Sequence, residues 1–300
     1  MTDRPLSRPV RKAVLPVAGL GTRLLPATKS IPKEMVTVVD RPAIQWVVDE
    51  AREAGIEHFV FVTGRGKQAI EDHFDRAYEL EDTLKRRGKT ALLERLLDDL
   101  LPPGQCSFVR QQEPLGLGHA VWCARDVIGD EPFALLLPDM LVQGTPGCLR
   151  QMMDIYAKTG GNLIAVDEVP REEVHKYGVV GIDEDQTVGR AMRITEMVEK
   201  PDPQEAPSTF IISGRYILQP EIFALIEKTE PGAGGEIQIT DAMRALLRDQ
   251  PFWAVPYEGI THDCGSPLGF LKTNLAFAMD DPELAPALRE FFEGFGKSGS

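Results

Sequence analysis

No acidic residue falls between positions 4 and 33, although the 300-residue chain carries 46 acidic against 33 basic side chains and a formal net charge of −13. Seven basic residues occupy that gap: Arg4, Arg8, Arg11, Lys12, Arg23, Lys29 and Lys33. A purely structural turn has no reason to exclude acids over such a length, so the gap reads as a local anion site. The acidic balance of the remainder argues against nucleic-acid binding, which needs a broad basic surface. Long hydrophobic runs are also missing. Stretches such as 59–62 and 133–137 are far too short to span a bilayer, and the polar N-terminus has no signal-peptide core, so a cytoplasmic protein with no membrane partner is expected. Cys106, Cys123, Cys148 and Cys264 share no metal-ligand spacing and are too few for a disulfide framework, which leaves free thiols. The five histidines show no i, i+4 pairing and no H-E-x-x-H occurs, which disfavours zinc hydrolysis; the absence of G-x-S-x-G removes support for a serine hydrolase. No internal repeat or low-complexity block is evident.

What is present alternates. An apolar run from Lys12 leads into a glycine loop, and then a helix is expected from Ala43, with Ile44, Val47, Val48, Ala51 and Ala54 on one face before Gly55. A strand over 58–63, a helix over 67–78 and a charged, leucine-bearing helical segment over 80–101 outside the main sheet follow. Pro102-Pro103-Gly104 ends that segment. A strand over 107–110, a helix over 119–127 and a strand over 133–137 complete the first half. Such alternation predicts an α/β fold: a Rossmann-like mixed, mostly parallel sheet flanked by helices, with ligands at the carboxyl ends of the strands. The loops after Val17, Arg110 and Leu137 should therefore surround one crevice. Beyond residue 160 the pattern shifts to strands over 163–166, 179–182, 193–198 and 210–218, with helices from Pro220, Thr240 and Pro267 and a last one over 282–295. The expected organisation is a basic tail over 1–11, a half over 12–160 that holds one part of the ligand and a half with C-terminal helices over 161–300 that carries the rest, both halves sharing one sheet.

The loop Gly19-Leu20-Gly21-Thr22-Arg23 departs from the dinucleotide fingerprint, since Leu24 stands where the third glycine belongs, and it lacks the G-K-[ST] ending of a P-loop. Small loop residues let backbone N–H groups approach phosphate oxygens, and Arg23, Lys29 and Lys33 can add charge-assisted bonds; a ligand-free tight turn is the alternative. Asp139 follows a continuous apolar strand and Pro138, where a carboxylate faces the crevice and suits Mg²⁺ held jointly with phosphates, or merely begins a turn. Asp263 is equally ambiguous alone, yet two such carboxylates can share one Mg²⁺. Glu199-Lys200-Pro201 ends a strand and offers a point charge for phosphate beside an acceptor for sugar hydroxyls, or an ordinary exposed pair. Gly178 is read as a close approach of ligand to backbone, or as a bulge.

Taken in order, Gly19-Leu20-Gly21-Thr22-Arg23-Leu24-Leu25-Pro26-Ala27-Thr28 and Pro32-Lys33-Glu34-Met35 resemble the signature of the sugar-1-phosphate nucleotidylyltransferases. Gln112-Glu113-Pro114-Leu115-Gly116-Leu117-Gly118-His119-Ala120, Leu137-Pro138-Asp139, Lys176-Tyr177-Gly178-Val179-Val180, Val198-Glu199-Lys200-Pro201 and Gly235-Glu236-Ile237-Gln238-Ile239-Thr240-Asp241-Ala242 are similar to the bacterial uridylyltransferases acting on glucose 1-phosphate. The likeness runs from about Lys12 to Met279, and the segment opening at Phe74 favours uridylyl- over thymidylyltransferases. The resemblance implies the nucleotide-diphospho-sugar transferase fold and a role for each matching position. Ala18, Gly19, Glu34, Gln111 and Gly116 would hold uridine; Gly21, Thr22, Arg23 and Lys33 the triphosphate; Gly178, Glu199 and Lys200 the glucose phosphate; Asp139 and Asp263 Mg²⁺. Gln111 is preferred to Gln112 because it lies five residues before Gly116. Met35-Val36-Thr37 replaces a more usual Met-Leu-Pro run.

The implied reaction joins UTP and glucose 1-phosphate into UDP-glucose and pyrophosphate, with Arg23, Lys33 and Lys200 as the catalytic cations and a homodimer or homotetramer as the implied assembly. Three competitors stand beside it. A sister enzyme using dTTP would keep every phosphate contact, a non-catalytic nucleotide-sugar sensor could dispense with the charged residues, and a nicotinamide dehydrogenase would need the missing glycine.

Overall fold

The computed structural model describes residues 8–297. The chain runs β1 (Lys12–Pro16), three 3-10 turns (Thr22–Leu24, Ala27–Lys29, Lys33–Met35), β2 (Thr37–Val38), β3 (Arg41–Pro42), α1 (Ala43–Glu53), β4 (His58–Thr63), α2 (Gln68–Phe74), α3 (Tyr78–Arg86), α4 (Thr90–Asp98) and β5 (Cys106–Arg110). It continues through α5 (Leu117–Cys123), α6 (Arg125–Ile128), β6 (Phe133–Leu136), β7 (Met140–Gln143), α7 (Cys148–Thr159), β8 (Asn162–Glu168), β9 (Gly178–Val188), β10 (Ala191–Glu199) and β11 (Phe210–Leu218). The last elements are α8 (Ile222–Ile226), α9 (Ile239–Leu246), β12 (Phe252–Pro256), β13 (Ile260–Asp263), α10 (Pro267–Asp280) and α11 (Ala285–Lys297).

Nine strands form the main sheet in the order β5-β4-β1-β6-β11-β8-β12-β10-β9. β5, β4, β1 and β6 are mutually parallel, as the alternating pattern requires. β11 then enters antiparallel between β6 and β8, and β10 lies antiparallel between β12 and β9, so seven of the nine strands point the same way. The middles of the central strands are buried because helices cover both faces. β6 is buried at every residue, which is why it reads as a continuous apolar run rather than an alternating one. One face packs on α1 and α7, through Ile44, Val47, Leu149 and Met152; the other packs on α5, α8 and α9, through Val121, Phe223 and Met243. α1 buries the expected Ile44, Val47, Val48 and Ala51, and Gly55 takes φ 93 just beyond its C-cap.

Several boundaries differ from the sequence expectation. The helix expected over 67–78 stops at Phe74, because Asp75 is extended and Arg76 turns back to the Glu81 carboxylate (Nε–Oε1 2.7 Å) at the start of α3. The 80–101 segment is two helices, divided at Gly88 with φ 66, and is anchored outside the sheet by Arg41 to Asp99 and Arg52 to the Asp98 carbonyl. The helix over 119–127 begins earlier, at Leu117, and breaks at Ala124. β7, β12 and β13 were not expected; β7 and β13 pair in a separate two-stranded ribbon. Of the expected N-terminal tail, residues 1–7 lie outside the described residues; Val10 is buried, Arg8 pairs with Asp130 and Arg11 with Glu131.

Phe61 of β4 is fully buried and stacks on Phe74 of α2 (centroids 4.8 Å) and Phe108 of β5 (5.1 Å). Phe61→Ala should cost about 3–5 kcal/mol. Urea unfolding of the variant against the parent measures it, and a loss below about 1 kcal/mol would contradict this packing.

Candidate active site

The carboxyl ends of β1, β5 and β6 open on a cavity of about 560 Å³. Its wall contains Ala18, Gly19, Gly21, Thr22, Arg23 and Lys33 from the segment after β1, Gln111 and Gly116 from the segment after β5, and Asp139 from the turn after β6. The three loops expected to meet do so. Gly21 adopts φ 67, and a Cβ there would lie 3.2 Å from side-chain atoms of Lys33 and Thr28. The Thr28 hydroxyl donates to the Gly21 carbonyl at 2.7 Å, which closes the loop on itself and fixes its turn.

Charge is balanced across the cavity floor. Lys33 Nζ lies 2.5 Å from Asp139 Oδ2, and Arg23 spans both carboxylates, 3.7 Å from Asp139 and 3.6 Å from Asp263. Burial pushes the Asp139 carboxyl up, but Lys33 and then Arg23 outweigh burial and hold it below its ordinary value. Burial likewise pulls the Lys33 ammonium down, whereas Asp139 and Glu34 raise it above its ordinary value. Both groups are therefore charged at neutral pH, and neither is poised to exchange a proton. Asp263 reaches the site through the β7–β13 ribbon: it pairs with Met140 in register, and the Cys264 N–H donates to the Asp139 carbonyl at 2.8 Å.

Asp139 and Asp263 supply hard oxygen donors, the type that binds Mg²⁺ together with phosphate oxygens and retained waters. The guanidinium between them shows that this place already holds positive charge. Among the described residues no group of three or more His, Cys, Asp and Glu side chains could enclose a metal, so any ion here takes its other ligands from elsewhere.

Gln111 is buried and lines the cavity, whereas Gln112 is exposed and does not. The Gln111 amide donates to the Gly116 carbonyl and to His119 Nδ1, each at 3.1 Å, so its remaining hydrogen-bonding group is the acceptor oxygen. Burial keeps the His119 imidazole below its ordinary value, consistent with an unprotonated acceptor. Glu34, which the resemblance sets against the base, is absent from the cavity wall: the residue is 1% exposed and its carboxylate pairs with Lys67 at 2.8 Å. Burial pushes that carboxyl above its ordinary value against the pull of Lys67 and Lys33, and its Oε1 has no hydrogen-bond partner. Glu34 thus underlies the Lys33 turn rather than facing the cavity.

Gly178, Glu199 and Lys200 form a second cluster. Glu199 ends β10 opposite Gly178 of β9, and Thr240 of α9 donates to its carboxylate at 2.8 Å. A Cβ on Gly178 would stand 3.1 Å from that carboxylate. Lys200 adopts φ 49, and its N–H donates to the Tyr177 carbonyl at 2.9 Å, so the backbone directs its side chain out of the strand. Its ammonium lies 3.9 Å from Glu199. The segment over 235–242 joins the clusters. Glu236 is part of the cavity wall, while Ile237 exchanges backbone bonds with Leu115 (2.7 Å) and Gly118 (2.8 Å). A Cβ on Gly116 or Gly118 would fall within 3 Å of Ile237, so glycine is required at both for the loops to touch. Lys67 is not in the cavity wall either; it lies buried against Glu34.

The depressed Asp139 carboxyl gives a signed pH dependence. Its contribution to stability is complete above about pH 5 and is lost as pH falls through the folded value, which lies below the ordinary carboxylate near pH 4. Urea-unfolding energies of the parent and Asp139→Asn should therefore converge as pH falls below about 4; a gap that widens there would refute the clamp.

The chain resembles known proteins over nearly its whole length. It is 53% identical over 291 residues to the UTP–glucose-1-phosphate uridylyltransferase of Bacillus subtilis (strain 168), covering 95% of this chain and 97% of that one. The UTP-bound UGPase of Acinetobacter baumannii superposes with a TM-score of 0.87 at 45% identity, over 94% of this chain and 98% of that one. A UDP-glucose pyrophosphorylase complexed with UDP-glucose gives 0.80 at 40% identity, over 91% and 100%. The profile described as nucleotidyl transferase matches residues 12–279, the span that contains the sheet, the cavity and both carboxylates, and the chain belongs to that family.

Proposed function

We propose that this protein transfers UMP from UTP to glucose 1-phosphate, forming UDP-glucose and releasing pyrophosphate. The observation that carries this reading is the cavity in which a glycine loop, two cations and Asp139 converge, with Asp263 joined to it through Arg23, in a chain 53% identical to a protein of that activity.

A phosphate monoester has its second pKa near ~6, so glucose 1-phosphate enters largely as a dianion and needs no general base. One of its phosphate oxygens attacks the α-phosphorus of UTP in line; the new O–P bond forms as the bond to the β-phosphate oxygen breaks, and pyrophosphate leaves with that electron pair. The physical difficulty is bringing two polyanions together, so the protein's task is positioning and charge neutralisation. Lys33, held as an ammonium by Asp139 and Glu34, serves as fixed positive charge rather than as a base. Arg23 and the backbone of Gly21 and Thr22 face the triphosphate, while Ala18, Gly19, Gln111 and Gly116 enclose the base. Glu34 supports that wall from behind. Gly178, Glu199 and Lys200 take the glucose phosphate, with Glu199 accepting sugar hydroxyls. Asp139 and Asp263 would hold Mg²⁺, which would supply a Lewis-acid charge on the phosphates.

Among the described residues no helix is long and apolar enough to cross a membrane. The reading includes a cytoplasmic homodimer or homotetramer, and Leu268, Leu271 and Leu275, exposed at i, i+3 and i+7 on α10, support a contact between copies. Light scattering on the purified protein should give two or four chains; a monomer at all concentrations would remove that assignment.

Pyrophosphate release should be fastest with UTP and glucose 1-phosphate in a panel including dTTP and other sugar phosphates; a preference for dTTP would overturn the base assignment. Lys200→Ala should raise KM for glucose 1-phosphate about 10- to 100-fold, the worth of one charge-assisted bond, and leave KM for UTP within about threefold. An unchanged KM for the sugar phosphate would sink the role given to Lys200.

A further inference from the structure

Arg215 is wholly buried in β11, one of the central strands. Glu50 of α1 matches its charge, with Nε 3.1 Å from both carboxylate oxygens and Nη2 2.8 Å from Oε2. Burial works against the guanidinium, yet Glu50 more than compensates and its ionised form is favoured. Such a pair is weak evidence for stability by itself, because apolar side chains of the same volume often serve a core as well. The remaining donors indicate its use.

Nη2 also donates to the Met140 carbonyl at 2.7 Å, and Nη1 to the Leu137 carbonyl at 3.2 Å. Those two carbonyls bracket Pro138 and Asp139. β11 approaches this turn closely because its pairing with β8 shifts register between Ile212 and Tyr216, with Gly214 at φ 81. The Leu137 N–H donates to the Gly214 carbonyl at 2.9 Å, and a Cβ on Gly214 would lie 3.3 Å from Leu137 and Met140. On its other side the turn is held by the ribbon that carries Asp263. The backbone of Asp139 is thus fixed between Arg215 and the segment of its partner carboxylate.

We propose that Arg215, oriented by Glu50, is a positioning residue that sets the placement of Asp139 relative to Asp263 and thereby the affinity of the pair for a divalent cation. The assignment rests on the reading of those two aspartates as the metal ligands. Arg215 touches no substrate. Its planar fork serves Glu50 and three carbonyls at once, those of Leu137, Met140 and its own neighbour Gly214, which a lysine ammonium does not reproduce in geometry, so Arg215→Lys keeps the charge while losing the hold on the turn.

The test is Mn²⁺ titration of the protein alone, followed by the EPR signal of the free ion, beside steady-state kinetics and thermal unfolding. Arg215→Lys should weaken Mn²⁺ binding about tenfold or more, raise half-saturating Mg²⁺ in parallel and lower kcat, with KM for glucose 1-phosphate within about twofold. A lower unfolding midpoint with Mn²⁺ affinity and half-saturating Mg²⁺ unchanged would mean a purely structural arginine and overturn the proposal. Should Arg215→Lys not fold, Glu50→Gln, which keeps an acceptor but not the charge, is read in the same way: several-fold weaker Mn²⁺ binding supports the assignment and parental affinity overturns it. A parent that makes no UDP-glucose would refute the proposed reaction alone, because the Mn²⁺ comparison needs no turnover.

Discussion

Everything at the cavity depends on keeping positive and negative charge in contact without letting either be neutralised by a proton. Lys33 and Asp139 lie 2.5 Å apart in a place where burial alone would discharge both, and each keeps the other ionised. Arg23 extends this balance to Asp263. The result is a floor with near-zero net charge but steep local gradients, which suits a reaction whose reactants and products are all anionic. It also links three distant parts of the chain: the loop after β1, the turn after β6 and the ribbon strand β13.

Rigidity behind that floor comes from backbone and buried polar contacts rather than from long loops packed on their own side chains. The register shift in β11 brings Gly214 against the 137–140 turn, and the glycines at 116 and 118 let Ile237 dock by its main chain. Lys67 and Glu34 form a buried pair beneath the Lys33 turn, leaving one carboxylate oxygen unpartnered. A half-satisfied polar group at such depth marks a place where the structure tolerates cost near its functional surface.

The α/β alternation of the first half was legible because β4 and β6 are short apolar runs between periodic helices, and the carboxyl ends of β1, β5 and β6 did converge. The wall residues Gly21, Arg23, Lys33, Gln111 and Asp139 were legible through charge pattern and family resemblance together. Other features were not. Glu34 and Lys67 look like ordinary charged residues in sequence, and only three-dimensional packing takes them out of water. The break after Phe74 depends on Arg76 finding Glu81, a contact that periodicity does not encode. β7 and β13 are four residues each, too short to register as strands when their partner lies more than a hundred residues away. Arg215 sat inside a run read as a strand, and nothing local reveals that its counter-ion is 165 residues earlier.

The position of β11 has a consequence for the order in which the molecule can be made. β11 lies between β6 and β8, although it follows both in sequence, and it is antiparallel to each. As the polypeptide leaves the ribosome, β6 and β8 are both synthesised before the strand that joins them, and each presents an open hydrogen-bonding edge until residues 210–218 emerge. The N-terminal half therefore cannot complete its sheet alone. For β6 that exposure ends when one arginine-bearing strand is inserted and, in the same movement, the turn holding Asp139 is fastened, whereas the far edge of β8 stays open until β12 follows at residues 252–256.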